Sequence, residues 1–155
     1  MTRWIETERT RLRPIEESDA ETAFAWFSDA TVEDTRRRIA WYRKHEADFG
    51  YSKRLILLRE TGQPIGDSGL FHMPDGQRIE LGYRLARPYW GAGYATEVGR
   101  AWLAWADAHL ASEPLFADVH AENVPSQRVL AKLGFAPSHS EDVRGLRMMI
   151  YRLPR

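Results

Sequence analysis

An α+β (mixed α/β) fold, built on a mostly antiparallel twisted sheet of about six or seven strands with one parallel crossover, is predicted by three features of the sequence. Short alternating apolar runs separated by turn residues fill the first half and return near the C-terminus. Between them, Arg78–Leu85 empties into a glycine-rich loop and then into a helical pattern. A fresh strand pattern follows that helix at Leu115–His120. A strand, helix, strand order closes as a right-handed parallel crossover, whereas strands joined by tight turns pair antiparallel.

The elements follow in order. Glu8–Pro14 alternates as a first strand, and Pro14 ends its ability to donate ladder hydrogen bonds. Ser18-Asp19-Ala20-Glu21 has capping-box spacing, and Ala23, Phe24, Trp26 and Phe27 give the helix that follows an apolar side to about Asp29. Thr31–Asp34 repeats the signal for a second helix to roughly Asp48, with Ile39, Trp41 and Tyr42 as apolar contacts and Gly50 near its end. Lys53–Glu60 and Ile65–Met73 read as a hairpin around Thr61-Gly62-Gln63-Pro64, and Pro74-Asp75-Gly76-Gln77 turns the chain into Arg78–Leu85. Ala95, Val98, Ala101, Trp102, Trp105 and Leu110 recur at helical spacing. Asn123 can cap a further helix through Leu133, Gly134 suits its C-terminal end, and Phe135 onward with Arg144–Leu153 makes a closing strand pair.

Composition limits the function classes. The 155 residues, 43% hydrophobic, suffice for one core, so residues 1–155 read as a single domain. With no cysteine there is no disulfide framework, thiolate nucleophile or thiolate metal site, and catalysis must use oxygen and nitrogen groups. Lys plus Arg and Asp plus Glu both number 22, so no overall positive field gathers nucleic acid or an anionic membrane. No run of eighteen apolar residues occurs and the N-terminus is charged from its third residue, so the expectation is a soluble, cytoplasmic protein. Arg36–Arg38, beside Glu33 and Asp34, reads as a solvated helix face with local charge pairs.

The loop after Arg78–Leu85 carries the chemistry. Gly91 and Gly93 allow close backbone approach, and the free N–H groups of the helix beginning near Tyr94 place partial positive charge there, which suits an anion such as phosphate. A GxG in this position also serves as a plain tight turn. The change from antiparallel to parallel pairing between Arg78–Leu85 and Leu115–His120 favours a crevice at the end of the strand from which this loop leaves. His72 and His120 lack paired ligand spacing, so no metal site is expected, and Glu97 in the helix's first turn complements its dipole.

Two segments, IELGYRLARPYWGAGYATE at Ile79–Glu97 and HAENVPSQRVLAKLGFAP at His120–Pro137, together resemble the GNAT acetyltransferases. The opening ETERTRLRPIEESDAE and the piece GQPIGDSGL extend the likeness to the ribosomal-protein-alanine N-acetyltransferase branch over nearly the whole chain. The resemblance implies a V-shaped cleft and acetyl-coenzyme A as donor, with its pyrophosphate on the backbone amides of Gly91, Ala92, Gly93, Tyr94 and Ala95. The pantetheine arm would lie along Tyr83, Arg84 and Leu85 as an added strand does, where a backbone N–H can polarise the thioester carbonyl. Pro88 departs from the family pattern, which has Gln or Arg there, leaving side-chain support of the phosphates to a neighbour such as Arg87. Tyr89 and Trp90 read as loop packing or as contacts to the nucleotide base.

The resemblance further implies an amine acceptor, either a peptide N-terminus or a small molecule; a non-catalytic acyl-coenzyme A-binding module shares the same fold. Glu80 matches a recurrent family acid and is the expected base, its pKa raised by burial, although an alternating strand could instead turn it to solvent or to an arginine. Asn123 and Ser126 sit near the start of one helix, where both can cap it. Asn123 is also a candidate contact to pantetheine, and Ser126 a candidate proton donor to the leaving thiolate. The likeness leaves a homodimer open, with no self-complementary surface legible in the sequence.

Overall fold

The computed structural model describes residues 4–73 and 78–155. Its single eight-stranded sheet has the order β1-β2-β3-β4-β5-β6-β8-β7. Strands β1 (Ile5–Glu6), β2 (Thr10–Pro14), β3 (Lys53–Leu58), β4 (Pro64–His72) and β5 (Ile79–Leu85) form an antiparallel run. The expected turn at 74–77 lies outside the described residues. After β5 the chain makes helix α3 (Tyr94–His109) and returns as β6 (Leu115–His120), parallel to β5. Helix α4 (Val124–Lys132) leads to the hairpin β7 (Ala136–Val143) and β8 (Leu146–Leu153), with β8 inserted between β6 and β7. The additional strand is β1, which the alternation did not reveal because it is two residues long.

Helices α1 (Ala20–Phe27) and α2 (Val32–Phe49) separate β2 from β3. Thr31 caps α2 as expected, its Oγ1 accepting from Asp34 N–H at 3.1 Å, and Gly50 ends it at φ 82°. The capping near α1 differs from the expected Ser18/Glu21 box. A short 3-10 turn, Glu17–Asp19, precedes α1, and Asp19 Oδ2 accepts from the Glu16 N–H at 2.8 Å. Asp19 is also held by a two-pronged contact with Arg13 at 2.9 Å, and the capping box forms between Glu16 and Asp19 rather than between Ser18 and Glu21. Arg36, Arg37 and Arg38 pair with Glu33, Asp34 and Asp29, the local charge pairing expected of a helix face.

Strand alternation divides the sheet into two working faces. One face carries Leu12, Ile56, Leu70, Leu81, Ala117 and Val119 against Val98, Trp102 and Ala106 of α3 and Leu130 of α4. The other is covered at the β3 end by α1 and α2, where Ala23, Trp26, Phe27, Ile39 and Tyr42 meet Leu55. On this second face Asp67 is fully buried. It accepts from Trp26 Nε1 at 2.8 Å and faces Lys53 Nζ at 3.3 Å and Arg84 Nη2 at 3.2 Å. Burial alone would raise the Asp67 carboxyl, but the charges of Arg84 and Lys53 and the hydrogen bonds to it hold it below its ordinary value. No helix among the described residues is long and apolar enough to cross a membrane.

Candidate active site

The glycine loop is built as an anion cradle. A 3-10 turn at Arg87–Tyr89, with Pro88 at its start, leads to extended Trp90 and then to Gly91 at φ 74° and Gly93 at φ 84°, the N-cap of α3. Both glycines occupy the left-handed region that side chains disfavour, and the first turn of α3 leaves its N–H groups without intrahelical partners. A Cβ added at Gly91 would meet nothing within 4 Å, so the mouth of the loop is open.

The β1–β2 turn braces this loop from behind, an arrangement no local pattern signalled. Arg9 donates from Nη1 to the Ala92 carbonyl at 2.9 Å and from Nε to Glu97 Oε1 at 2.7 Å, while its guanidinium lies 4.1 Å from the centre of the Tyr94 ring. Glu97 Oε2 accepts from the Arg9 backbone N–H at 2.9 Å and from the Thr7 hydroxyl. Partial burial would raise the Glu97 carboxyl, and these hydrogen bonds outweigh it and hold it below its ordinary value. Glu97 therefore does more than complement the helix dipole.

Beside the cradle the sheet opens. β5 and β6 pair only at Ile79↔Leu115 and Glu80↔Phe116, then separate. Ser68 Oγ donates to the Gly82 carbonyl at 2.9 Å and Ala86 N–H to the Ile65 carbonyl at 2.8 Å, so the even-numbered residues of this strand turn their backbone polar groups toward β4. Leu81, Tyr83 and Leu85 consequently present theirs to the opening. The Leu85 carbonyl is taken by Trp90 Nε1 at 2.7 Å, a loop-packing role for that indole. Arg84, expected beside the cofactor, instead turns its backbone to β4 and its side chain to Asp67 on the other face. Across the opening, the Tyr83 hydroxyl meets Ser126 Oγ at 2.9 Å and donates to the Ser126 carbonyl at 3.1 Å. Burial pushes the Tyr83 phenol up to about 12 despite the Ser126 hydrogen bond. Asn123 Oδ1 accepts from the Ser126 N–H at 3.2 Å and caps α4.

Glu80 stands at the closed end of this opening and on the opposite face from Tyr83. Register places it level with Phe71 of β4 and Phe116 of β6. It is 1% exposed, and among the described residues neither carboxyl oxygen has a hydrogen-bond partner. Arg78 Nη2 approaches Oε2 at 3.6 Å, and the same guanidinium reaches Glu141 at 3.0 Å. Burial, then the charge of Asp118, raises the Glu80 carboxyl to about 8 against the opposing pull of Arg78. The side chain thus combines the two expected alternatives: it is buried at the cleft and lies within ion-pair distance of an arginine. The histidines have structural partners, His72 Nδ1 with the Tyr51 hydroxyl at 3.0 Å and His120 Nδ1 with the Glu122 N–H at 3.2 Å. Among the described residues, no group of three His, Asp or Glu side chains could hold a metal ion.

The mixed sheet thus parts beside a glycine-capped helix, with a buried carboxyl at the root of the parting. The profile of the acetyltransferase (GNAT) domain matches residues 9–136, so the chain belongs to the GNAT family, whose members are acetyl-coenzyme A-dependent N-acetyltransferases. The N-acetyltransferase p20 of Bacillus licheniformis is 30% identical over 143 residues, covering 83% of this chain and 80% of that one. A GnaT-family acetyltransferase structure from Bordetella pertussis superposes with a TM-score of 0.87 at 19% identity, over 97% of this chain and 98% of that one. RimL, a ribosomal L7/L12 alpha-N-protein acetyltransferase solved in complex with coenzyme A, superposes with a TM-score of 0.81 at 15% identity, over 98% of both chains.

Proposed function

We propose that this chain transfers the acetyl group of acetyl-coenzyme A to a primary amine, the N-terminal amine of a protein or peptide, by direct attack. The observation that carries this reading is the buried Glu80 carboxyl at the root of the β5–β6 opening, with a carboxyl raised to about 8. A base of that strength can take a proton from an ammonium group whose own pKa is near 8. The glycine cradle fits a pyrophosphate, with Gly91, Ala92, Gly93, Tyr94 and Ala95 supplying backbone donors. Tyr83 and Leu81 turn backbone polar groups to the opening, where an extended pantetheine arm has partners, and Asn123 and Ser126 line its α4 side.

In the reaction, Glu80 takes the ammonium proton, directly or through a water. The freed nitrogen lone pair forms the C–N bond at the thioester carbonyl, the C–S bond breaks with its electron pair leaving on sulfur, and the nitrogen, cationic once bonded to carbon, gives its second proton to solvent, from which Ser126 regains the proton it donates. Ser126, hydrogen-bonded to Tyr83, stands as proton donor to that thiolate. With a free thiol pKa of about 8.5, the thiolate departs without a strong acid. The RimL likeness supports a protein acceptor. The test is to incubate the protein with acetyl-coenzyme A and, separately, a peptide with a free N-terminus and a panel of small amines, reading products by mass spectrometry. Acetylation at the peptide α-amine supports the proposal. Acetylation confined to small amines overturns the acceptor, and coenzyme binding without turnover of any amine overturns catalysis.

A further inference from the structure

The loop that would hold pyrophosphate has a conformational problem of its own making. Ala92 lies between two glycines at φ 74° and 84°. A peptide plane next to glycine can flip at little cost, because a residue without Cβ accepts either orientation. One orientation of the Ala92–Gly93 plane turns an N–H toward an anion at the α3 N-terminus; the other presents a carbonyl oxygen and repels it. Gly93 alone does not choose between them.

Arg9 does. Its Nη1 donates to the Ala92 carbonyl at 2.9 Å. No peptide bond among the described residues is cis, so the Gly93 N–H points opposite to that carbonyl, away from Arg9 and the β1–β2 turn. The guanidinium is itself fixed: Nε on Glu97 at 2.7 Å, the backbone N–H of the same residue on the other Glu97 oxygen at 2.9 Å, and its plane 4.1 Å from the Tyr94 ring centre. The contact also removes an electrostatic obstacle, since Glu97 is a carboxylate in the first turn of the helix whose end would receive the phosphates. Without Arg9 that charge would stand uncompensated beside an anionic ligand. Pro88 stands where the family pattern places a Gln or Arg.

We infer that Arg9 is the positioning residue of the phosphate cradle, locking the Ala92–Gly93 peptide with its N–H toward the ligand and cancelling the Glu97 charge. The inference rests on the acetyl-coenzyme A reading above. It predicts a loss specific to the phosphate-bearing end of the donor.

The experiment titrates ¹⁵N-labelled protein with coenzyme A and with pantetheine, which lacks the phosphates, and follows amide shifts to obtain both dissociation constants. In Arg9→Ala the preference for coenzyme A over pantetheine falls about tenfold, the loss of roughly one oriented, charge-assisted hydrogen bond. The Gly93 amide shift on adding coenzyme A shrinks with it. Arg9→Lys, which preserves charge and bulk, shows a fall in the same direction because an ammonium lacks the fork that engages Ala92 and Glu97 together. Glu97→Gln, which removes the anion and leaves the Ala92 contact, retains the preference. A variant Arg9 protein that loses both ligands by the same factor, or neither, overturns the inference, as does a Glu97→Gln protein that loses the preference fully. Wild-type protein with no affinity for coenzyme A would instead overturn the donor reading itself, before any variant is made.

Discussion

Replacing Glu80 by glutamine keeps the shape of the buried side chain and removes its titration, so the effect on rate must itself depend on pH. With the carboxyl raised to about 8, only about one molecule in a hundred holds it ionised at pH 6 and about nine in ten at pH 9. A general base contributes roughly 10²–10⁴-fold, so the wild-type advantage in kcat/KM over Glu80→Gln is of that size at pH 9 and about a hundred-fold smaller at pH 6. An acceptor of low amine pKa, unprotonated throughout pH 6 to pH 9, keeps the acceptor's own ionisation out of the ratio. A ratio constant from pH 6 to pH 9 would refute Glu80 as the base. Stability supplies an independent reading. The folded-state pKa is raised above the unfolded one, so the contribution of this group is fully present below the ordinary glutamate value and is lost as pH rises through about 8. Between pH 7 and pH 9 the wild type should lose about 1.4 kcal/mol relative to Glu80→Gln in urea denaturation, one further unit of unfavourable ionisation. Parallel curves for the two proteins would show that the carboxyl titrates normally.

Three further substitutions probe the surroundings. Ser126→Ala should lower kcat by no more than about tenfold, because the leaving thiol has a pKa of about 8.5 and departs tolerably alone; unchanged single-turnover rates would remove Ser126 as proton donor. Asp67→Asn leaves Lys53 and Arg84 buried without their shared anion and should cost about 3–5 kcal/mol in urea denaturation, while a loss below 1 kcal/mol would mean that solvent reaches the pair. His45 is desolvated, donates from Nδ1 to the Tyr51 carbonyl at 2.8 Å, and takes the His72 N–H on Nε2 at 2.9 Å, so its neutral form is favoured and its pKa is lowered. Its stabilisation is therefore present above the ordinary histidine value and lost as pH falls through the folded-state value, and His45→Gln should flatten the melting temperature across that acid range. An unaltered acid limb would assign the pH dependence to another group.

Features that depend on near neighbours were legible in the sequence. Gly91 and Gly93 marked a loop open to close backbone approach, and Thr31 and Asn123 marked their caps. Features that join distant segments were not. Arg9 and Glu97 are 88 residues apart, Tyr83 and Ser126 43 apart, and Trp26 and Asp67 41 apart. Nothing in a charged residue's immediate neighbours states which opposite charge it will meet, so the sequence assigned Arg9 no partner and read Glu97 only as complementing the helix dipole. Arg84 was misplaced for a related reason: alternation assigns it the face of Glu80, but only the β4 register shows that its backbone is already bonded and its side chain committed to Asp67.

The alternation of β5 also accounts for how two reactants could meet without a covalent enzyme intermediate. Its odd residues, Tyr83 among them, face α3 and α4, the side on which the glycine cradle and Ser126 lie. Its even residues, Glu80 among them, face the side shared with Phe71, Phe116 and Asp118. A strand that stayed paired along its length would seal these sides from each other. Because β5 and β6 pair at only two positions, the sheet is breached one residue beyond Glu80, and a thioester entering from the cradle side can be reached by an amine resting against the carboxyl on the other. The breach also explains why Glu80 can be both buried and useful. Its charge is disfavoured by burial and by Asp118, and in the proposed reaction an arriving ammonium group would supply the counter-charge that Arg78 only partly provides. In that reading the acceptor itself would lower the cost of ionising its base.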